Sequence, residues 1–301
     1  MNTEPRFSAY RLDKRRARHA FERAARSYDE AALLQREVGD RMVERLDYIR
    51  LTPRNIVDIG AGTGHIGRQI QQRYPQARLL SLDFAHAMLR HARQRQPLLR
   101  RLFPRQDYVC GDVDQLPLRG GCMDMAISGL TLQWCDDLDH TFHELRRILR
   151  PSGLLMFTTF GPDTLKELRA SWRAADGFTH VNAFTDMHDI GDALLRCGFA
   201  DPVMDMETIT VTYPDVRRLM NDLKAIGAQN FTAGRARGLT GKARLKKMLS
   251  AYERLRENGV LPATYEIVYG HCWKPAADRP RRDGGAATVP LSSLKRPGDK
   301  P

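Results

Sequence analysis

The residues best suited to chemistry in this chain lie at 57–64: Val57, Asp58, Ile59, Gly60, Ala61, Gly62, Thr63 and Gly64. An apolar run at 54–59 reads as a buried strand. It breaks into three glycines at alternate positions, and an apolar-spaced helix is expected over 66–73. The glycines make a turn too tight for side chains, so a ligand can press against bare backbone amides at a helix N-terminus. Spacing excludes two nucleotide signatures. A dinucleotide fingerprint, G-x-G-x-x-G, would need glycine where His65 stands, and no lysine followed by Ser or Thr is present for a P-loop.

The pattern that remains, D/E-x-G-x-G-x-G after a strand, resembles the class I S-adenosylmethionine-dependent methyltransferases, with Asp58, Gly60, Gly62 and Gly64 in its places. The resemblance implies S-adenosylmethionine as cofactor and an α/β, Rossmann-like sheet of seven strands, mostly parallel with strand seven antiparallel. Its other positions follow in order. Residues 78–82 read as the second strand and end at Asp83, where the family has an acid for both ribose hydroxyls. A carboxylate suits two neutral donors because it offers two acceptors. Phe84 and Met88 are implied to flank the adenine. After a third strand at 108–110, Asp112 matches the position that accepts from the adenine amino group, with Val113 beside it. Strands four and five are expected at 124–128 and 153–160. Asp83 or Asp112 alone would read as a cap or a turn residue; their order after the glycine turn assigns them.

Composition bounds the alternatives. The chain has 301 residues, of which 42% are hydrophobic, enough for a sizeable core. No apolar run approaches the roughly 18 residues of a spanning helix, and the basic N-terminus lacks an apolar secretion core. Five scattered cysteines without C-x-x-C pairs suit reduced thiols in a cytoplasm. His140 and His143 share a helix face, but nothing completes a metal site around them, so no metal is expected. The formal charge of +12 is concentrated in two clusters. One runs from Arg11 to Arg26. The other comprises Arg235, Arg237, Lys242, Arg244, Lys246 and Lys247, with no acid in that span. Apart from Phe21 neither interleaves aromatics, so a nucleic-acid stacking platform is not expected, and a compact acidic protein is a suitable partner.

Beyond strand five, helices are expected at 164–172 and 188–197, and strands six and seven at 203–213 and 264–273. Between those strands lies an insertion, 214–262, with helical patterns at 216–226 and 242–257. That is too long for a hairpin and suits a helical lid. The expected organisation is an N-terminal helical cap at 1–50, a methyltransferase domain at 51–274 and a disordered tail at 275–301.

From 15 to 273 the chain resembles one family more closely, the malonyl-acyl-carrier-protein O-methyltransferases of biotin synthesis. The strings that carry this are FERAARSYD at 21–29, LTLQW at 130–134, TTFGPDTLKEL at 158–168 and FTDMHDIGD at 184–192. DPVMDME at 201–207, LKAIGAQN at 223–230, LPATYE at 261–266 and YGH at 269–271 complete them. The resemblance implies methylation of the free malonyl carboxylate on an acidic acyl carrier protein. A carboxylate with pKa near 4 is already ionised at neutral pH, so no general base is required, and no Ser-His-Asp or Cys-His set stands out. Alignment with the methyl donor and removal of water are the expected means of catalysis. Candidates for the catalytic role are Tyr28, Trp134 and His188. Arg26 or Arg169 would pair with the malonyl carboxylate, and the cluster from Arg235 to Lys247 would receive the carrier protein. Three other readings share the glycine turn: a methyltransferase of another carboxylate or a quinone-like molecule, a non-methylating assembly or hydroxylase protein, and a basic RNA methyltransferase.

Overall fold

A strand covered on both faces can be apolar at successive positions. In β1 (Asn55–Ile59), Ile56 enters one core layer while Val57 and Ile59 enter the other. The remaining strands are β2 (Arg78–Asp83), β3 (Gln106–Cys110), β4 (Met123–Gly129), β5 (Leu149–Phe160), β6 (Ala200–Tyr213) and β7 (Leu261–Trp273). In β5, Leu154 and Met156 serve the first layer, Leu155 and Phe157 the second. The computed structural model describes residues 12–96, 105–235, 238 and 240–276. Its strands form one sheet of order β3-β2-β1-β4-β5-β7-β6. Pairings from β3 through β5 are parallel, and β7 runs antiparallel between β5 and β6. This is the α/β sheet expected from the sequence, with its reversed strand seven.

Helices α1 (Lys14–Ala24), α2 (Tyr28–Ala31) and α3 (Leu33–Glu44) precede the sheet. α4 (His65–Arg73) follows β1, α5 (His86–Gln94) follows β2, and α6 (Leu138–Ile148) follows β4. Two helices, α7 (Lys166–Arg173) and α8 (Met187–Arg196), lie between β5 and β6; α9 (Val216–Ala225) and α10 (Lys242–Glu253) lie between β6 and β7. Four of these begin at an aspartate whose side chain accepts a first-turn amide: Asp13, Asp137, Asp186 and Asp215. One layer is filled by Met42 of α3, Trp172 of α7, and Met248 and Tyr252 of α10; the other by Phe142 of α6 and Leu194 of α8.

The observed bounds depart from the expected ones where pairing overrides local pattern. β6 and β7 are longer than expected because they pair from Ala200↔Trp273 to Tyr213↔Leu261. β5 begins at Leu149 because that residue pairs with Met123. The helix expected over 242–257 stops at Glu253. Asn258 and Gly259 then take positive φ values of 48° and 80°, and Glu257 pairs with Val260 to turn the chain into β7. Among the described residues no helix is long and apolar enough to cross a membrane. Arg237 lies outside the described residues, as does the expected tail from 277 onward.

The N-terminal helices and the segment between β6 and β7 are fastened to each other. Leu12 pairs with Thr232, the Asp13 amide donates to the Phe231 carbonyl at 2.9 Å, and Ser27 Oγ donates to the Ala225 carbonyl at 3.1 Å. α10 is anchored separately: the fully buried Tyr252 donates its hydroxyl to the Pro262 carbonyl at 2.8 Å. Replacing Tyr252 with Phe should therefore cost about 1 kcal/mol and lower the melting temperature by roughly 2–4 °C in a circular-dichroism melt. An unchanged melting temperature would show that the anchor contributes nothing.

Candidate active site

Strand order reverses direction between β1 and β4, and open α/β sheets bind ligands beyond the carboxyl ends of their strands at such a point. A cavity lies there, walled in part by Gly60, Gly62, Asp83, Phe84, Met88, Asp112 and Val113. The glycine turn is pulled onto β2 by amides of Gly60 and Ala61, which donate to the Leu82 carbonyl at 2.8 and 3.0 Å. Gly60, at φ 70°, allows no side chain: an added Cβ would fall 1.9 Å from Thr131 Oγ1. Gly62 is different. A Cβ there would meet no protein atom nearer than 4.0 Å, so its bare backbone faces the cavity. Gly64 starts α4 in the left-handed conformation, at φ 80°, behind the cavity wall.

Asp83 is braced within this turn. Its Oδ2 accepts from the Gly62 amide and its Oδ1 from the Ala85 amide, both at 2.8 Å. Burial pushes its pKa up to about 6 and the Glu22 charge adds to this, against the two amides. Asp58 stands below, fully buried, with no hydrogen-bond donor at normal geometry on either oxygen. Burial and then the Asp83 charge push its pKa up to about 7; the nearby Gly67 amide only moderates this. These features fit the cofactor implied by the sequence: bare amides at the turn, a carboxylate for paired hydroxyls, and apolar walls at Phe84, Met88 and Val113.

The cavity's other wall comes from the N-terminal segment, where the sequence pointed to Tyr28 and Arg26. Phe21 packs between Phe84, at 5.6 Å, and Trp134, at 5.3 Å, and Trp134 continues to Phe231 at 5.8 Å. Glu22 accepts from the His86 and Ala87 amides at 2.7 and 2.9 Å, capping α5 from a different helix. Asp29 accepts from Thr63 Oγ1 at 2.6 Å and pairs with Arg95, tying α2 to the glycine turn. Lys14 bonds to Asp112 at 2.8 Å and to Asp114. Burial opposes its charge, and those two carboxylates outweigh burial to raise its pKa. Tyr28 lines the cavity; burial, then Asp83 and Asp29, raise its phenol so that it stays protonated.

A second cavity shares Trp134 with the first. Its polar wall groups include the carboxamides of Gln133, Asn182, Gln229 and Asn230, and among the described residues no arginine or lysine lines it. Gln133 Nε2 donates to the Leu130 carbonyl at 2.6 Å, while Leu130 takes a positive φ of 48° at the end of β4. Strain of this kind gathers at functional sites.

Several expected residues are placed elsewhere. His188 is 83% exposed and pairs with Asp186 at 2.8 Å, outside both cavities. The Asp186 cap that starts α8 turns that side chain to solvent. Arg26 is exposed in the turn after α1 and reaches neither cavity. Arg169 donates to the carbonyls of Pro162, Thr164 and Asn182, so it braces a loop and stands outside the second cavity. Lys242, Lys246 and Lys247 are exposed along α10; Arg244 is exposed but pairs with Asp176 at 3.8 Å. Arg235, half-buried, lies before that helix. His140 bonds to the Asp114 carbonyl at 2.7 Å, and among the described residues no group of three or more His, Cys, Asp or Glu side chains is placed to hold a metal.

A fold and site of this kind define a class I methyltransferase, and a methyltransferase-domain family model matches residues 57–157. The fold is shared with phosphoethanolamine N-methyltransferase 2 of Haemonchus contortus, at 16% identity and a TM-score of 0.52, over 84% of this chain and 57% of that one. The malonyl-[acyl-carrier protein] O-methyltransferase of Gallionella capsiferriformans is 55% identical over 91% of this chain and 95% of its own length. That of Nitrosospira multiformis is 56% identical over 88% and 90%. The chain belongs to the malonyl-[acyl-carrier protein] O-methyltransferase family.

The buried carboxylates set a pH dependence. Asp58 has a folded pKa near 7 against an ordinary 3.8, so folding disfavours its ionised form. The resulting penalty is absent below pH 4, grows as the pH rises and is complete above about 7. Asp58→Asn should therefore stabilise the ligand-free protein at pH 8, with the gain fading toward pH 4 in urea titrations. A gain independent of pH would contradict this assignment.

Proposed function

We propose that this chain is an S-adenosylmethionine-dependent O-methyltransferase that esterifies the free carboxylate of malonyl-acyl-carrier protein, an early step toward the pimeloyl unit of biotin. The observation that carries the reading is the second cavity: it abuts the cofactor cavity at Trp134 and, among the described residues, offers carboxamides with no arginine or lysine, its one histidine, His180, being held by Asp176. Asp83 would hold the ribose, Phe84, Met88 and Val113 the adenine, and Asp112 its amino group once Lys14 yields. When bound, the cofactor supplies a methyl group on sulfonium sulfur, which forms a C–O bond with the carboxylate as its C–S bond breaks and sulfur keeps the electron pair.

The chain's own task is to orient and dry the nucleophile. Negative charge is lost as the carboxylate becomes an ester, so a tight arginine pair would favour the reactant over the transition state. Neutral amide donors from Gln133, Gln229 and Asn230 orient an anion with less such penalty. Trp134 and Phe21 exclude water across the junction, which strengthens alignment and bares the oxygen. Tyr28 stays protonated and presents an O–H donor beside the cofactor. The exposed lysines of α10 would receive an acidic carrier protein, in a cytoplasm that keeps the thiols reduced.

With labelled S-adenosylmethionine and malonyl-carrier protein, a base-labile methyl ester should form on the carrier. A folded, cofactor-bound protein that leaves the carrier unlabelled would remove this reading. Tyr28→Phe should lower kcat by up to about 100-fold, the scale of a misaligned reacting group, with cofactor affinity little changed. Reversing Lys242, Lys246 and Lys247 to Glu should raise KM for malonyl-carrier protein by roughly tenfold through lost electrostatic complementarity. The KM of a malonyl-coenzyme A surrogate should stay unchanged; equal effects on both would exclude docking at α10.

A further inference from the structure

Two clefts reach the acceptor cavity, and they differ in charge. His180, Val181, Asn182 and Phe184 wall both the cavity and a cleft that carries Arg169 and Arg173. Gln133, Phe160, Asn182 and Phe184 wall both the cavity and a cleft whose charged groups among the described residues are Asp136, Asp186 and Asp189. Asn182 stands at the junction of all three spaces. Its side chain is buried, the residue being 7% exposed, and its Oδ1 meets no donor. A buried acceptor of this kind is costly unless something donates to it, and an amide N–H of a ligand would do so.

We propose that the arginine-bearing cleft is the channel for the phosphopantetheine arm of the carrier protein. Its phosphodiester would lie at Arg173, one of its amides at Asn182, and its malonyl thioester in the cavity beside Trp134. The proposal rests on the malonyl-carrier reading and adds the route by which that substrate arrives. Charge selects the cleft, because a phosphodiester is attracted by Arg173 and repelled by Asp136 and Asp189 of the other opening, where Asp186 is paired with His188. The single acid of the chosen cleft, Asp176, is already answered by His180 at 2.8 Å and Arg244 at 3.8 Å.

The walls are built to keep this channel open. His180 stacks on Trp172 at 3.8 Å with their rings 6° apart, and Asp176 fixes its Nε2. Arg169 donates to the Asn182 carbonyl at 3.5 Å and so helps hold the junction residue. At the mouth, Arg244 of α10 reaches Asp176 and lies over the Phe178 ring at 5.7 Å. The proposed docking helix therefore borders the cleft, which places carrier surface and arm on the same side of the molecule.

Competition against malonyl-carrier protein turnover tests the route, with reduced phosphopantetheine and pantetheine as inhibitors. In the wild type, phosphopantetheine should inhibit more strongly than pantetheine. Arg173→Glu should weaken phosphopantetheine inhibition at least fivefold and leave pantetheine unchanged. Asn182→Leu should weaken both by the same factor while cofactor affinity, read by calorimetry, stays constant. Asp189→Lys in the acidic cleft should alter neither. Inhibition by neither compound, equal effects of Arg173→Glu on both, no effect of Asn182→Leu, or stronger phosphopantetheine inhibition in Asp189→Lys would each overturn the proposal. Loss of wild-type carrier methylation would count against the proposed function instead.

Discussion

Much of this structure turns on one buried carboxylate held without a counter-charge. Asp83 closes β2, accepts two backbone amides from the turns around it, and lies 5% exposed in the wall of the first cavity. Those amides hold Gly62 and Ala85 against β2, so the same bonds that lower the carboxylate's energy shape the ligand cradle. Burial keeps its pKa near 6 even so. A site proposed to bind neutral hydroxyls would gain from this arrangement: a cation placed beside Asp83 would stabilise the charge but compete for its acceptors.

The second constraint is that the sheet supplies only half of a site. Its turns present amides and carboxylates, yet the apolar cover arrives from α1 and α2. Glu22 caps α5, Asp29 seizes Thr63 in the glycine turn, and Phe21 fills the gap between Phe84 and Trp134. Lys14 is set across Asp112, so the group expected to read the adenine is engaged by a side chain in this structure. Each tie crosses a long stretch of sequence, and together they make the N-terminal segment part of the cavity wall.

The acceptor side follows a different logic. A carboxylate that is already ionised requires no proton acceptor, and its charge disappears on reaction. The second cavity, the proposed acceptor site, carries amides rather than guanidinium groups among its described wall residues; Arg169 is engaged by three carbonyls and Arg26 is exposed away from it. Positive charge is kept at a distance, on Arg173 and the exposed face of α10, where it can attract a partner without stabilising the reactant carboxylate.

The sequence by itself determined the sheet and the turns that gather the candidate cofactor residues. Asp58, Gly60, Gly62, Asp83 and Asp112 are legible because a tight strand-turn-helix allows few residue types, and because their order along the chain matches the order of the turns. The strand bounds at Leu149 and Leu261 were not, since pairing partners set them. Only the tertiary structure could decide the roles of Lys14, Phe21, Glu22 and Asp29, whose contacts lie far away in the chain. The same holds for His188 and Arg169: their types suited the chemistry, but a helix cap turned one to solvent and three carbonyls claimed the other. Asn182 left no signal at all, because a junction between cavities exists only after α7, β5 and the segment after α9 have packed together. Local backbone demands are written in residue type and spacing; the meeting of distant side chains depends on which surfaces the fold brings into contact.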